Sequence, residues 1–196
     1  MAASSLHILG LAGSLRARSY NRALLRAARE LAPDGVEIET FDLAPIPLYN
    51  ADLDTDERRP EAVTRLKEAI TAADAVLLVS PEYNYGVPGV MKNALDWASR
   101  PGFRSPMAYK PTGIMGASAG ASGTMRGQEQ LKLNLLGMIA HVFPHPGVAV
   151  TRAADKFDDE LNLVDEATRK FVRQYLEAFA GWVRRVQRPA EAMARG

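Results

Sequence analysis

Five short apolar runs, each separated from the next by a segment of helical periodicity, constrain the fold of this chain more than any other feature. The runs are residues 6–11, 36–41, 75–79, 112–118 and, shortest, 148–150. Behind the first, Leu24, Ala28 and Leu31 recur at helical spacing, and Val63, Leu66 and Ile70 do so behind Pro60, a residue tolerated where a helix opens. Helices are also expected over residues 90–98 and 124–140. In the second of these, Leu131, Leu135 and Met138 form one apolar face and Leu133, Leu136 and Ile139 another, which implies burial on two sides. Phe171, Tyr175, Phe179, Trp182 and Val186 give a last helix a single stripe. Strand alternating with helix is the pattern of a doubly wound parallel sheet with helices on both faces. Residues 75–79 are apolar throughout and belong at its centre, whereas 36–41 alternate like an edge strand. Pro144 and Pro146 keep the fifth strand short.

Three of these runs end in loops suited to holding a ligand. Residues 80–89, Ser-Pro-Glu-Tyr-Asn-Tyr-Gly-Val-Pro-Gly, contain two prolines and two glycines, so the loop is expected to be rigid and to present Tyr83, Asn84 and Tyr85 as a flat shelf. The first loop runs from Gly13 to Asn21 into a helix start, where unpaired backbone N–H groups carry partial positive charge. Ser14, Ser19 and Asn21 add neutral donors there and Arg16 a charged fork. The third, residues 118–123, is built of small residues including Ser118 and Gly120. Taken singly, each fits an ordinary turn as well as a binding loop. Together, after strands one, three and four, they point to one crevice beyond the carboxyl ends of the strands, with a phosphate end and an aromatic end.

Composition removes other classes. With 196 residues the chain suits one α/β domain, taken as residues 1–187 with a tail over 188–196. A net charge of +1 lacks the basic excess of a nucleic-acid binder. There is no cysteine, so disulfides, thiolate nucleophiles and cysteine-bound metals are excluded and any redox chemistry must be borrowed from a cofactor. His141 and His145 do not make a metal pair, because Pro144 breaks any shared helical face. No signal-peptide pattern and no run of about 20 apolar residues is legible, which makes the cytoplasm the expected compartment and a membrane no partner. The long irregular segment of residues 44–59 is expected to carry a solvated acidic run over 52–57 that could border the pocket mouth.

The stretch Ser-Pro-Glu-Tyr-Asn-Tyr-Gly, followed by Pro-Gly and Lys-Asn-Ala-Leu-Asp-Trp, stands at residues 80–97. It resembles the signature of the NAD(P)H-dependent FMN reductases, a family of flavodoxin-like quinone, chromate and azo-dye reductases, and the similarity extends over most of residues 6–150. The resemblance implies a five-stranded parallel sheet of order 2-1-3-4-5. It implies that Ser14, Arg16, Ser19 and Asn21 hold the FMN phosphate, that Pro81, Glu82, Tyr83 and Asn84 cradle the isoalloxazine edge, with backbone N–H groups of Tyr83 and Asn84 turned to it, and that Ser118 and Gly120 run along the other side. It implies a ping-pong reaction in which NADPH or NADH reduces FMN and a small acceptor reoxidises it, with no side-chain acid or base. It also implies a homodimer or homotetramer with contacts on the helix bearing Trp97 and on that of residues 124–140. No dedicated 2′-phosphate site is legible, Arg18 and Arg104 fitting plain surface equally well. A flavodoxin-type electron carrier, commonly acidic as this chain is not, and a non-enzymatic FMN-binding protein are the alternatives.

Overall fold

The computed structural model describes residues 5–187, so the tail expected over 188–196 lies outside the described residues. Strands β1 (Leu6–Ala12), β2 (Val36–Phe41), β3 (Ala75–Val79) and β4 (Pro111–Ala117) lie in the order β2-β1-β3-β4, all parallel, with Leu6 opposite Val36, Ile8 opposite Ala75 and Val76 opposite Thr112. The fifth position departs from expectation. It is filled by two short strands, β5 (His141–Val142) and β6 (Val148–Val150), which both pair with β4. Pro144 and Pro146 cannot donate to a ladder and push the chain out between them.

The side chains of each strand alternate between two cores. Ile8, Ala75, Leu77 and Val79 face one, against α1 (Tyr20–Glu30) and α5 (Glu166–Val186). Leu9, Leu11, Val76 and Leu78 face the other, against α2 (Glu61–Ala72), α3 (Gly89–Ala98) and α4 (Met125–Gly137). Every residue of β3 is buried, as its unbroken apolar run implies for a central strand.

Two expected faces are corrected. Trp97 does not offer itself to a second subunit. It is fully buried, its indole N–H donates to the Pro47 carbonyl at 2.8 Å, and Tyr49 packs edge-on at 4.9 Å. The irregular segment folds over α3 and covers it, held also by Asn93, which accepts from the Tyr49 N–H and donates to Pro47. In α5 the sheet-facing stripe is rotated: Tyr175 and Phe179 are buried, but Val172, Leu176 and Val183 complete the face, while Phe171 and Val186 are exposed. The acidic run is not wholly solvated either. Burial pushes the Asp54 carboxyl up, but hydrogen bonds from Arg59 at 2.9 Å and Lys67 at 3.0 Å outweigh it and hold the group below the usual carboxylate range.

Asp165 caps α5. The Thr168 hydroxyl, the Lys156 ammonium and the Thr168 N–H all bond its carboxylate and lower its pKa to about 2. An unfolded Asp titrates near ~3.9, so the unfolded chain binds more protons between these values. The stability this carboxylate contributes is therefore complete above about pH 4 and lost as the pH falls towards 2. In urea unfolding at stepped pH, Asp165→Asn, which keeps a capping oxygen without the charge, is expected to flatten that decline. An unchanged slope would remove Asp165 from the acid response.

Candidate functional site

The first loop joins β1 to α1 at the carboxyl edge of the sheet. Ser19 caps the helix, its Oγ accepting from the Asn21 N–H at 3.2 Å and the Arg22 N–H at 3.4 Å, and the first turn of α1 has no acidic residue. Ser14 Oγ accepts weakly from the Arg16 N–H at 3.4 Å. In the third loop Ser118 Oγ accepts from the Gly120 N–H at 3.1 Å. All three hydroxyls thus have an acceptor lone pair engaged and the hydrogen free, which makes them donors towards a ligand. The N–H groups of Leu15, Ala17 and Arg18 have no acceptor among the described residues, and the Arg16 side chain is exposed. Such a donor set, at a helix N-terminus, suits a phosphate.

The second loop is a two-residue turn. Tyr83 and Gly86 exchange both backbone hydrogen bonds, at 3.1 and 2.9 Å, and Asn84 and Tyr85 between them have φ of 50° and 65°. Left-handed backbone at two non-glycine residues costs free energy and is held only where the surroundings over-determine it. One expectation changes here: the Tyr83 N–H is taken by Gly86 and cannot reach a ring edge, whereas the N–H groups of Glu82 and Asn84 have no acceptor among the described residues. The tyrosine rings are both exposed, and the Arg126 guanidinium lies 4.3 Å above the centre of Tyr85.

Ser14, Arg16, Ser19, Asn21, Pro81, Glu82, Tyr83 and Ser118 line one cleft of about 170 Å³, together with Tyr20, Ala117 and Ala119. Asn84 and Gly120 lie outside that lining. The cleft is smaller than the roughly 300–1,000 Å³ of an enclosed ligand site, so a ligand of cofactor size would project beyond it. The donor set of the first loop, hydroxyls, free N–H groups and a guanidinium at a helix N-terminus, fits the phosphate of FMN. Two of the lining side chains are also engaged within the protein. Asn21 is buried, its amide bonding both the N–H and the carbonyl of Ala117 at 2.9 Å. Glu82 Oε2 accepts from the Gly127 N–H at 3.0 Å at the start of α4, and Arg126 stands 3.5 Å from its other oxygen. Both side chains fix the loops that carry them.

Comparison with known proteins identifies the family. The family model for NADPH-dependent FMN reductase matches residues 6–155. The chain belongs to this family. An NAD(P)H-dependent FMN reductase of Pseudomonas aeruginosa is 45% identical over 182 residues, covering 93% of this chain and 97% of its own. A 2-hydroxy-1,4-benzoquinone reductase of a Burkholderia species is 38% identical over 180 residues, 92% of this chain and 97% of that one. Among solved structures, the Paracoccus denitrificans flavoenzyme FerB, an NAD(P)H:(acceptor) oxidoreductase, superposes with a TM-score of 0.83 at 34% identity, covering 92% of this chain and 98% of FerB. Within the family fold, sequence reasoning passed over Gly116, Thr124 and Gln128, which join the second and third loops from beneath. Gly116 stood inside an apolar strand, where nothing but its missing side chain marked it.

Proposed function

We propose that this chain is an FMN-dependent reductase that takes a hydride from NADPH or NADH and passes electrons to a quinone, a flavin or a similar small acceptor. The observation that carries the reading is the single cleft on which the three loops converge, in a chain of the FMN reductase family. Bound FMN supplies the redox chemistry. Arg16 and the hydroxyls of Ser14, Ser19 and Ser118 bind and orient it, the first three at the phosphate. The Glu82 and Asn84 N–H groups face the polar edge of the ring, and the open side admits donor and acceptor in turn. No side chain has to move a proton. Residues 1–187 act as one unit, in the cytoplasm where nicotinamide nucleotides are at hand. The chain works as a homodimer or homotetramer: Leu133 and Leu136 on the second face of α4, with Phe103 and Tyr109 nearby in sequence to β4, are large apolar side chains left exposed, which supports a subunit contact.

The test is the visible spectrum of the purified protein after addition of FMN and desalting, followed by anaerobic NADPH or NADH and then a quinone. Flavin absorbance that is retained, bleaches with the nucleotide and returns with the quinone is expected. Retained flavin that does not bleach would make the chain a carrier, and no retained flavin would remove the site. In Arg16→Ala the loss of charge-assisted hydrogen bonds of about 1.5–3 kcal/mol is expected to weaken FMN roughly ten- to a hundredfold. Unchanged affinity by fluorescence titration would move the phosphate elsewhere.

A further inference from the structure

A second cleft, of about 250 Å³, opens between α1 and the end of β2, and Ser14 lines both it and the flavin cleft. Its wall is basic. Arg22, Arg26 and Arg29 recur along one face of α1, with Phe41 and Asp42 opposite. The guanidinium groups of Arg22 and Arg29 make no hydrogen bond or ion pair to any described residue, and Arg26 makes one hydrogen bond, to the Leu161 carbonyl at 2.7 Å. Asp42 is the one carboxylate in the lining, and its Oδ1 accepts from the Ala44 N–H at 3.1 Å. Like charges three and four residues apart destabilise a helix. In a chain whose net charge is only +1, three such arginines on a concave wall that holds a single carboxylate are a local positive excess. Arg18, by contrast, is already engaged, donating to the Asp159 carbonyl at 2.8 Å.

We propose that this cleft receives the adenosine 2′-phosphate end of NADPH and so sets the donor preference. The inference rests on the reading that the chain uses a nicotinamide donor. A phosphate monoester is nearly a dianion and presents oxygens to the planar forks of Arg22 and Arg29 in pairs. The half-buried ring of Phe41 offers an apolar wall to the base, and because Ser14 lines both clefts, a dinucleotide anchored here lies next to the bound FMN and can extend along its open side. NADH lacks that phosphate, so it leaves the arginines unanswered.

The experiment uses the FMN-loaded protein and the variant Arg22→Ala/Arg29→Ala. Calorimetric titration with 2′,5′-ADP and with 5′-AMP is set beside KM and kcat for NADPH and NADH. Wild type is expected to bind 2′,5′-ADP more tightly than 5′-AMP, and 2′,5′-ADP should compete with NADPH. The variant should lose about tenfold or more in affinity for 2′,5′-ADP, with KM for NADPH rising in step. Its kcat, its KM for NADH and its FMN content should stay as they were. Equal change for both donors, or unchanged 2′,5′-ADP affinity in the variant, would overturn the assignment. Binding of 2′,5′-ADP without competition would do the same, by making this a site for a free nucleotide. A protein that holds FMN but oxidises neither nucleotide would strike the reductase reading instead, a result separable from the fragment titration.

Discussion

Gly116→Ala is expected to lower stability by roughly 1–3 kcal/mol, the usual cost of forcing an extra carbon into a packed interior, and to weaken FMN binding with it. A Cβ at this position would collide with Thr124 Oγ1 and stand 2.5 Å from the Ser80 carbonyl oxygen, and the second of these is backbone. Neither neighbour can yield alone. Ser80 leads into Pro81 and Glu82, so moving its carbonyl shifts the second loop. Thr124 is fully buried in left-handed backbone at φ 73°, and its hydroxyl oxygen accepts from Gln128 Nε2, which also donates to the Val148 carbonyl at 2.9 Å. One methyl group would thus press on two of the three loops and on the edge strand. Gly102→Ala is the control, since a Cβ there meets nothing within 4 Å. Urea unfolding and flavin titration of both variants check the expectation. If Gly116→Ala matched Gly102→Ala in midpoint and affinity, the close approach beneath the loops would not matter.

What could be read in the sequence was local. The run of residues 75–79 announced a strand buried on both faces because every side chain is apolar, and 36–41 announced an edge because it alternates. The loops were legible because proline and glycine act on their own backbone. What escaped depends on partners far along the chain. Asn21 and Ala117 are 96 residues apart and Glu82 and Gly127 are 45 apart, so a polar side chain that fixes a loop looks the same in the sequence as one that binds a ligand. Trp97 read as a subunit contact because the segment that covers it has no periodicity to reveal a packed face. The aromatic residues of α5 recur at helical period but stand rotated from the buried face, which Val172 and Val183 complete without any aromatic signal. The three arginines of α1 have helical spacing, and that signal was available, but only the cleft beside β2 shows that they share a wall.

Asn21→Ala is expected to cost about 2–4 kcal/mol, since two buried backbone groups lose their partners at roughly 1–3 kcal/mol each and entering water restores part. The reason lies in how β4 ends. Its ladder with β3 closes where the Ser80 N–H donates to the Met115 carbonyl, while the Ser118 N–H turns to Val150 on the opposite side. Ala117, two residues past Met115, faces the β3 side after β3 has ended. The Asn21 amide supplies what a further strand residue would, donating to the Ala117 carbonyl and accepting from its N–H, both at 2.9 Å. It thereby ties the first loop to the third. Asn21→Ala should unfold at lower urea and hold FMN less tightly, with saturating FMN restoring part of the midpoint because only the folded form binds it. Asn21→Asp separates this bond from a direct phosphate contact. Its carboxylate can accept from the Ala117 N–H but faces the Ala117 carbonyl without a proton, which raises its folded pKa above the unfolded value. The stability it contributes is then present in acid and lost as the pH rises, so Asn21→Asp should approach wild type near pH 4 and fall away from it towards neutrality. A constant gap between the two across that range would mean that Asn21 does not stand in for the missing strand.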